Sequence, residues 1–141
     1  MFSNVITTDY ADTQKLGEQF AATLQTGDVV ALHGDLGSGK TTFTQGLAKG
    51  LGITSRILSP TFLIMRTYQL PADPGNFIHA DLYRTNGELD VKGIGLDALI
   101  LSGEHIVIVE WPEKITSLLP TQTKHVTFEY LEDDKRSINF A

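Results

Sequence analysis

The stretch Gly34-Asp35-Leu36-Gly37-Ser38-Gly39-Lys40-Thr41 has residue types and spacing that imply a definite chemistry. It fits the pattern G-x-x-x-x-G-K-[ST] at Gly34, Gly39, Lys40 and Thr41. Glycines there allow backbone angles that aim successive N–H groups inward as an anion nest. A helix opening at the end of the loop adds its unpaired N-terminal donors and the positive end of its dipole. Lys40 can then reach the β- and γ-phosphates of a nucleotide, while the Thr41 hydroxyl can bind Mg²⁺. Chance supplies such a match in roughly one of a few hundred chains of this size. A glycine-rich turn with no ligand is the alternative. It does not explain why the loop follows an apolar strand pattern and opens an amphipathic helix.

Three further residues extend this chemistry. Ile106-Val107-Ile108-Val109 ends in Glu110, a carboxylate at the carboxyl edge of a buried strand, where it can hold Mg²⁺ or orient an attacking water. Asp81 lies near the end of another strand, with His79 and Tyr83 on its face by alternation. It is a candidate general base or outer Mg²⁺ partner, against the alternative of a strand-end salt bridge with Arg84. His79 reads as a hydrogen-bonded core residue outside the chemistry. Thr61, after Ser59-Pro60, is placed like a switch-loop threonine that senses a γ-phosphate. Thr13 and Arg136 are the candidate adenine contacts. No Asn-Lys-x-Asp segment exists, which disfavours GTP, and no arginine-rich lid suggests a small-molecule kinase. Asp90-Val91-Lys92-Gly93 fits D-x-x-G but follows no apolar strand.

The elements that must position these residues follow from periodicity and breakers. Residues 3–7 read as a strand, and Asp9 caps a helix running to about residue 25 with Leu16, Phe20 and Leu24 on one face. Val29–His33 is a buried strand, and a helix from Lys40 carries Phe43, Leu47 and Leu51 until Gly50 and Gly52 end it. Residues 61–70 and 76–83 form a hairpin about Pro71-Ala72-Asp73-Pro74-Gly75. Residues 86–101 hold one or two short helices broken at Gly93 and Gly95, and 104–110 is a strand. Lys124–Tyr130 and Arg136–Phe140 make a second hairpin turned by Glu132-Asp133-Asp134. The implied fold is an α/β, P-loop NTPase-like sandwich. It has a mixed, mainly parallel sheet and a C-terminal antiparallel hairpin, in one domain over residues 1–141.

Composition sets the outer bounds. With 141 residues, 41% hydrophobic and 20% charged, the chain suits one globular core, and it has no cysteine for disulfides or thiolate metal sites. Neither a signal-peptide pattern nor a membrane-length apolar run is present, which points to a soluble cytoplasmic protein. The net charge of −6, from 17 acidic and 11 basic residues, disfavours unaided nucleic-acid binding.

Four ordered blocks together resemble the TsaE (YjeE) family of bacterial ATPases of tRNA threonylcarbamoyladenosine synthesis. They are Gly34 through Thr42, Ser59-Pro60-Thr61-Phe62, His79-Ala80-Asp81-Leu82-Tyr83-Arg84 and Val109-Glu110-Trp111-Pro112-Glu113. Glu88-Leu89 with Gly93-Ile94 also fits, and the likeness runs from about residue 12 to 130. Ala80 stands where the family usually has a bulky aromatic residue, and Thr85 where leucine is common. The resemblance implies ATP and Mg²⁺ as cofactors, the phosphates held along Asp35, Leu36, Gly37, Ser38, Gly39, Lys40, Thr41 and Thr42. It puts the metal at Thr41 and Glu110, the γ-phosphate near Lys40 and Thr61, and a catalytic or partner-sensing role at Asp81. It makes Trp111 a sensor of nucleotide-dependent change. It further implies weak hydrolysis that serves the TsaD and TsaB proteins, with tRNA contacted only indirectly. A nucleotide-dependent binding module without useful turnover, or a small-molecule P-loop kinase, is the alternative function.

Overall fold

Alternation along the inner strands builds a core on both faces of one sheet. The computed structural model describes residues 3–58 and 64–141. Its strands are β1 (Asn4–Thr7), β2 (Val29–His33), β3 (Met65–Gln69), β4 (Asn76–Asp81), β5 (Ile106–Glu110), β6 (Lys124–Tyr130) and β7 (Arg136–Phe140). The helices are α1 (Tyr10–Ala21), α2 (Lys40–Gly50), α3 (Glu88–Gly93) and α4 (Leu96–Ser102), and a 3-10 stretch covers Pro112–Leu118. The strand order is β1-β7-β6-β2-β5-β4-β3. The central pairings β6–β2, β2–β5 and β5–β4 are parallel. The outer pairings β1–β7, β7–β6 and β4–β3 are antiparallel. The sheet is therefore mixed, as the sequence implies, with its parallel part confined to the centre and equal to the antiparallel part.

Val30, Leu32, Phe77, Ile106 and Ile108 point to one face and pack with Leu16, Phe20, Phe43 and Leu47 of α1 and α2. Val29, Ile78, Ala80, Val107 and Val109 point to the other, against Val91, Leu96 and Ile100 of α3 and α4. By the same alternation, His79 and Asp81 on β4 and Glu110 on β5 belong to the α1–α2 face. The parallel registers set Leu32 and Asp81 on either side of Glu110, so three strands end together where α2 begins.

Helix α1 starts at the Asp9 cap, whose carboxylate accepts the Asp12 N–H at 2.8 Å. It stops at Ala21, short of the expected residue 25, because Thr23 turns back to the Phe20 carbonyl with both its N–H and its hydroxyl. A β-carbon at Gly46 would stand 1.8 Å from the Gln14 carbonyl oxygen. Backbone therefore meets backbone where α2 crosses α1, and any side chain at residue 46 forces the helices apart. The expected 61–70 strand begins at Met65 among the described residues, and the 104–110 strand begins at Ile106. No periodic pattern in the sequence marks the 3-10 stretch after Trp111. Trp111 enters it in a left-handed conformation (φ 60°, ψ 50°) and Pro112 follows directly.

Candidate functional site

The loop between β2 and α2 closes on itself before α2 starts. Ser38 N–H donates to the Asp35 carbonyl at 3.2 Å, and Phe43 N–H returns to Gly39 at 3.0 Å. Gly34 takes φ 143° with Phe128 and Ser38 packed where a β-carbon would sit, so no larger residue fits at the base of the loop. Lys40, the first residue of α2, is buried. Its Nζ donates to the Gly34 carbonyl at 2.5 Å and lies 4.3 Å from the centre of the Trp111 ring. The Tyr83 ring packs on Trp111 at 5.0 Å.

A cavity of about 360 Å³ opens in front of this helix end. Gly37, Gly39, Lys40, Thr41 and Thr42 line one wall, and Asp81, Tyr83, Arg84 and Glu110 the other. A basic side chain, a helix N-terminus and two carboxylates thus share one space. That donor set suits a polyphosphate with a hard divalent cation, since cation and N–H groups meet the anion and oxygen ligands meet the metal.

The two carboxylates differ in environment. Glu110 is buried and hydrogen-bonded to His79, its Oε2 2.6 Å from Nε2. Asp81 accepts the Tyr83 N–H at 3.0 Å. Burial holds the Asp81 carboxyl above the ordinary carboxylate range, and the Glu110 charge adds to this, while the Tyr83 hydrogen bond and Lys40 pull it down. Behind the loop, His33 Nε2 and His125 Nδ1 lie 2.9 Å apart with the rings stacked. Burial pushes the His33 imidazole below its usual range. His125 and Lys40 push the same way, and Glu113 opposes them.

Most of the expected site residues converge. Leu36, Gly37, Gly39, Lys40, Thr41, Thr42, Asp81, Glu110 and Arg136 all line the cavity in front of α2. Asp35 and Ser38 instead line a second hollow of about 530 Å³, with Phe128 and Tyr130. Thr13 lines a smaller hollow of about 190 Å³ together with Gly39, Thr42 and Arg136. Its hydroxyl is buried against Thr7 at 2.7 Å, which leaves it a wall more than a donor. Arg136 bridges the two spaces, its guanidinium 4.5 Å from the centre of the Tyr130 ring and its buried Nε without a hydrogen-bond partner among the described residues. Thr61 lies outside the described residues. His79 is the residue that sequence reasoning set aside and the structure joins to the site. The signal was present, since alternation put it on the face of Asp81. What was lacking was the β4–β5 adjacency that brings it to Glu110.

The comparisons with known proteins agree along nearly the whole chain. The family model for threonylcarbamoyl adenosine biosynthesis protein TsaE matches residues 7–138. A tRNA threonylcarbamoyladenosine biosynthesis protein TsaE of Bacillus subtilis (strain 168) is 39% identical over 130 residues, which covers 92% of this chain and 79% of that one. The protein of the same name from Rickettsia bellii is 38% identical over 140 residues, or 99% and 94% of the two chains. The crystal structure of YdiB from Bacillus subtilis aligns with a TM-score of 0.79 at 34% identity, covering 99% of this chain and 86% of that chain. Sequence, family model and fold thus lead to one assignment: this chain belongs to the TsaE family.

Proposed function

We propose that the protein is a Mg²⁺-dependent ATPase of tRNA threonylcarbamoyladenosine modification, whose hydrolysis serves the TsaD and TsaB proteins. The observation that carries this reading is the single cavity shared by Lys40, Thr41, Asp81 and Glu110. Lys40 and the N–H groups of the loop bind and orient the β- and γ-phosphates, and their fixed positive charge stabilises the negative charge that develops on the β-phosphate oxygens as the γ-phosphoryl group leaves. The Thr41 hydroxyl and the Glu110 carboxylate hold Mg²⁺. Bound there, the metal supplies neutralisation of phosphate charge. Asp81, with its raised pKa, accepts a proton from the attacking water more readily than an ordinary carboxylate. Thr61 is assigned to sensing the γ-phosphate. Thr13 and Arg136 are assigned to the adenine side, in keeping with the hollow they share beyond Gly39.

The lack of a guanine-reading Asn-Lys-x-Asp segment supports ATP as the nucleotide. The net charge of −6 supports leaving tRNA contact to the partners. Among the described residues no helix is long and apolar enough to cross a membrane. Phosphate release measured with and without TsaD and TsaB tests the reading. Hydrolysis that rises on adding them is expected, and its absence in both conditions rules the ATPase out.

A further inference from the structure

His79 is fully buried, yet the proposed function makes no use of it. Its Nε2 lies 2.6 Å from Glu110 Oε2, across 31 positions of sequence. Its Nδ1 is buried with no hydrogen-bond partner among the described residues. The two nitrogens together decide the tautomer. An ionised carboxylate only accepts, so the nitrogen facing Glu110 must carry the proton. A second N–H at Nδ1 would be a stranded buried donor, which folded proteins rarely tolerate, whereas a bare lone pair costs less.

We propose that His79 is a positioning residue whose hold on Glu110 Oε2 favours a contact to the metal through one carboxylate oxygen, so that the site prefers Mg²⁺ to Ca²⁺. The inference rests on the assignment of Mg²⁺ to Thr41 and Glu110 made above. A small cation that demands near-octahedral geometry is served by a carboxylate contributing one oxygen. A larger cation with six to eight ligands gains when both oxygens are free. Neighbours that orient a ligating group in this way commonly change metal affinity by about 10- to 100-fold when removed.

The test titrates Mg²⁺ and Ca²⁺ calorimetrically into the full chain saturated with a non-hydrolysable ATP analogue, with the analogue alone as reference. His79→Leu, which removes the donor, is expected to weaken Mg²⁺ by about 10-fold and to lower the Mg²⁺/Ca²⁺ preference by a similar factor. His79→Gln, whose amide nitrogen can reach the place of Nε2, is expected to restore most of both. An unchanged preference in a folded His79→Leu chain overturns the proposal. Imidazole nitrogen spectra of the unaltered chain decide the matter if that variant does not fold. An Nε2–H tautomer whose resonance moves on adding Mg²⁺ supports the proposal, and an Nδ1–H tautomer or an unresponsive resonance overturns it. Wild-type Mg²⁺ affinity in Glu110→Gln would instead remove the metal assignment, and this inference with it. An altered preference in Glu110→Gln beside an unaltered one in His79→Leu removes this inference alone.

Discussion

Lys40 is held by a carbonyl oxygen and an aromatic face, both weaker partners for an ammonium than a triphosphate. Lys40→Ala is expected to weaken nucleotide binding by about 100-fold, the worth of a strong charged contact, in a calorimetric titration. Wild-type affinity would show that the loop is misassigned. For Glu110 the replacement matters. Alanine leaves the buried His79 donor without an acceptor and costs about 1–3 kcal/mol of stability, whereas Glu110→Gln keeps an acceptor oxygen and should nearly preserve the Tm. Both should lose Mg²⁺-dependent hydrolysis. Asp81 is a liability to folding. Because its pKa is raised in the folded chain, the native state holds the proton more tightly there, and stability is lost as pH rises through that raised value. Asp81→Asn should therefore raise the Tm slightly at neutral pH, by about 2 °C or less after solvent screening, while hydrolysis falls. His33 runs the other way. Its lowered pKa means the unfolded chain takes up the proton first, so its effect is absent above the ordinary histidine range and stability falls as pH drops below it. In His33→Gln, thermal melts between about pH 7 and 5 should lose part of that slope.

Among the elements, α2 depends most on its neighbour. Gly46 lies against the Gln14 carbonyl, so Gly46→Ala is expected to cost about 3 kcal/mol and lower the Tm by roughly 10 °C. Gly93→Ala is the control, since open space surrounds its β-carbon and alanine suits a helix better. Its Tm should hold or rise slightly, and a comparable fall would show that glycine loss in general destabilises this chain. The elements also show what was legible in advance. β2, α2, β6 and β7 have the limits read from their apolar runs and from the glycines (β2, α2) or the acidic turn (β6, β7) beside them, because those signals are local. The pairing of β1 with β7 joins residues at opposite ends of the sequence, and no pattern within either strand encodes it. The same holds for the site. The Gly34–Thr41 loop is contiguous and could be recognised, while the His79–Glu110 contact depends on which strands are neighbours. The 3-10 stretch after Trp111 escaped because a short, irregular turn carries no period.

For the whole molecule, the surplus of negative charge bears on tRNA. Proteins that hold nucleic acid by themselves release counterions with a positive surface, and this chain carries −6. Its binding to tRNA alone should be no tighter than about 10⁻⁴ M at physiological salt, as read by filter retention. Submicromolar binding would move tRNA recognition onto this protein.

Trp111 is the only tryptophan in the sequence, and the Lys40 ammonium stands over its ring. A unit charge at that distance imposes a local electric field on the indole, and the indole's excited state has a dipole different from its ground state. Any event that draws Lys40 toward a phosphate removes part of that field and shifts the emission colour by a Stark effect. The protein thus carries an unlabelled optical gauge of where its loop lysine lies, readable turnover by turnover in a stopped-flow cell.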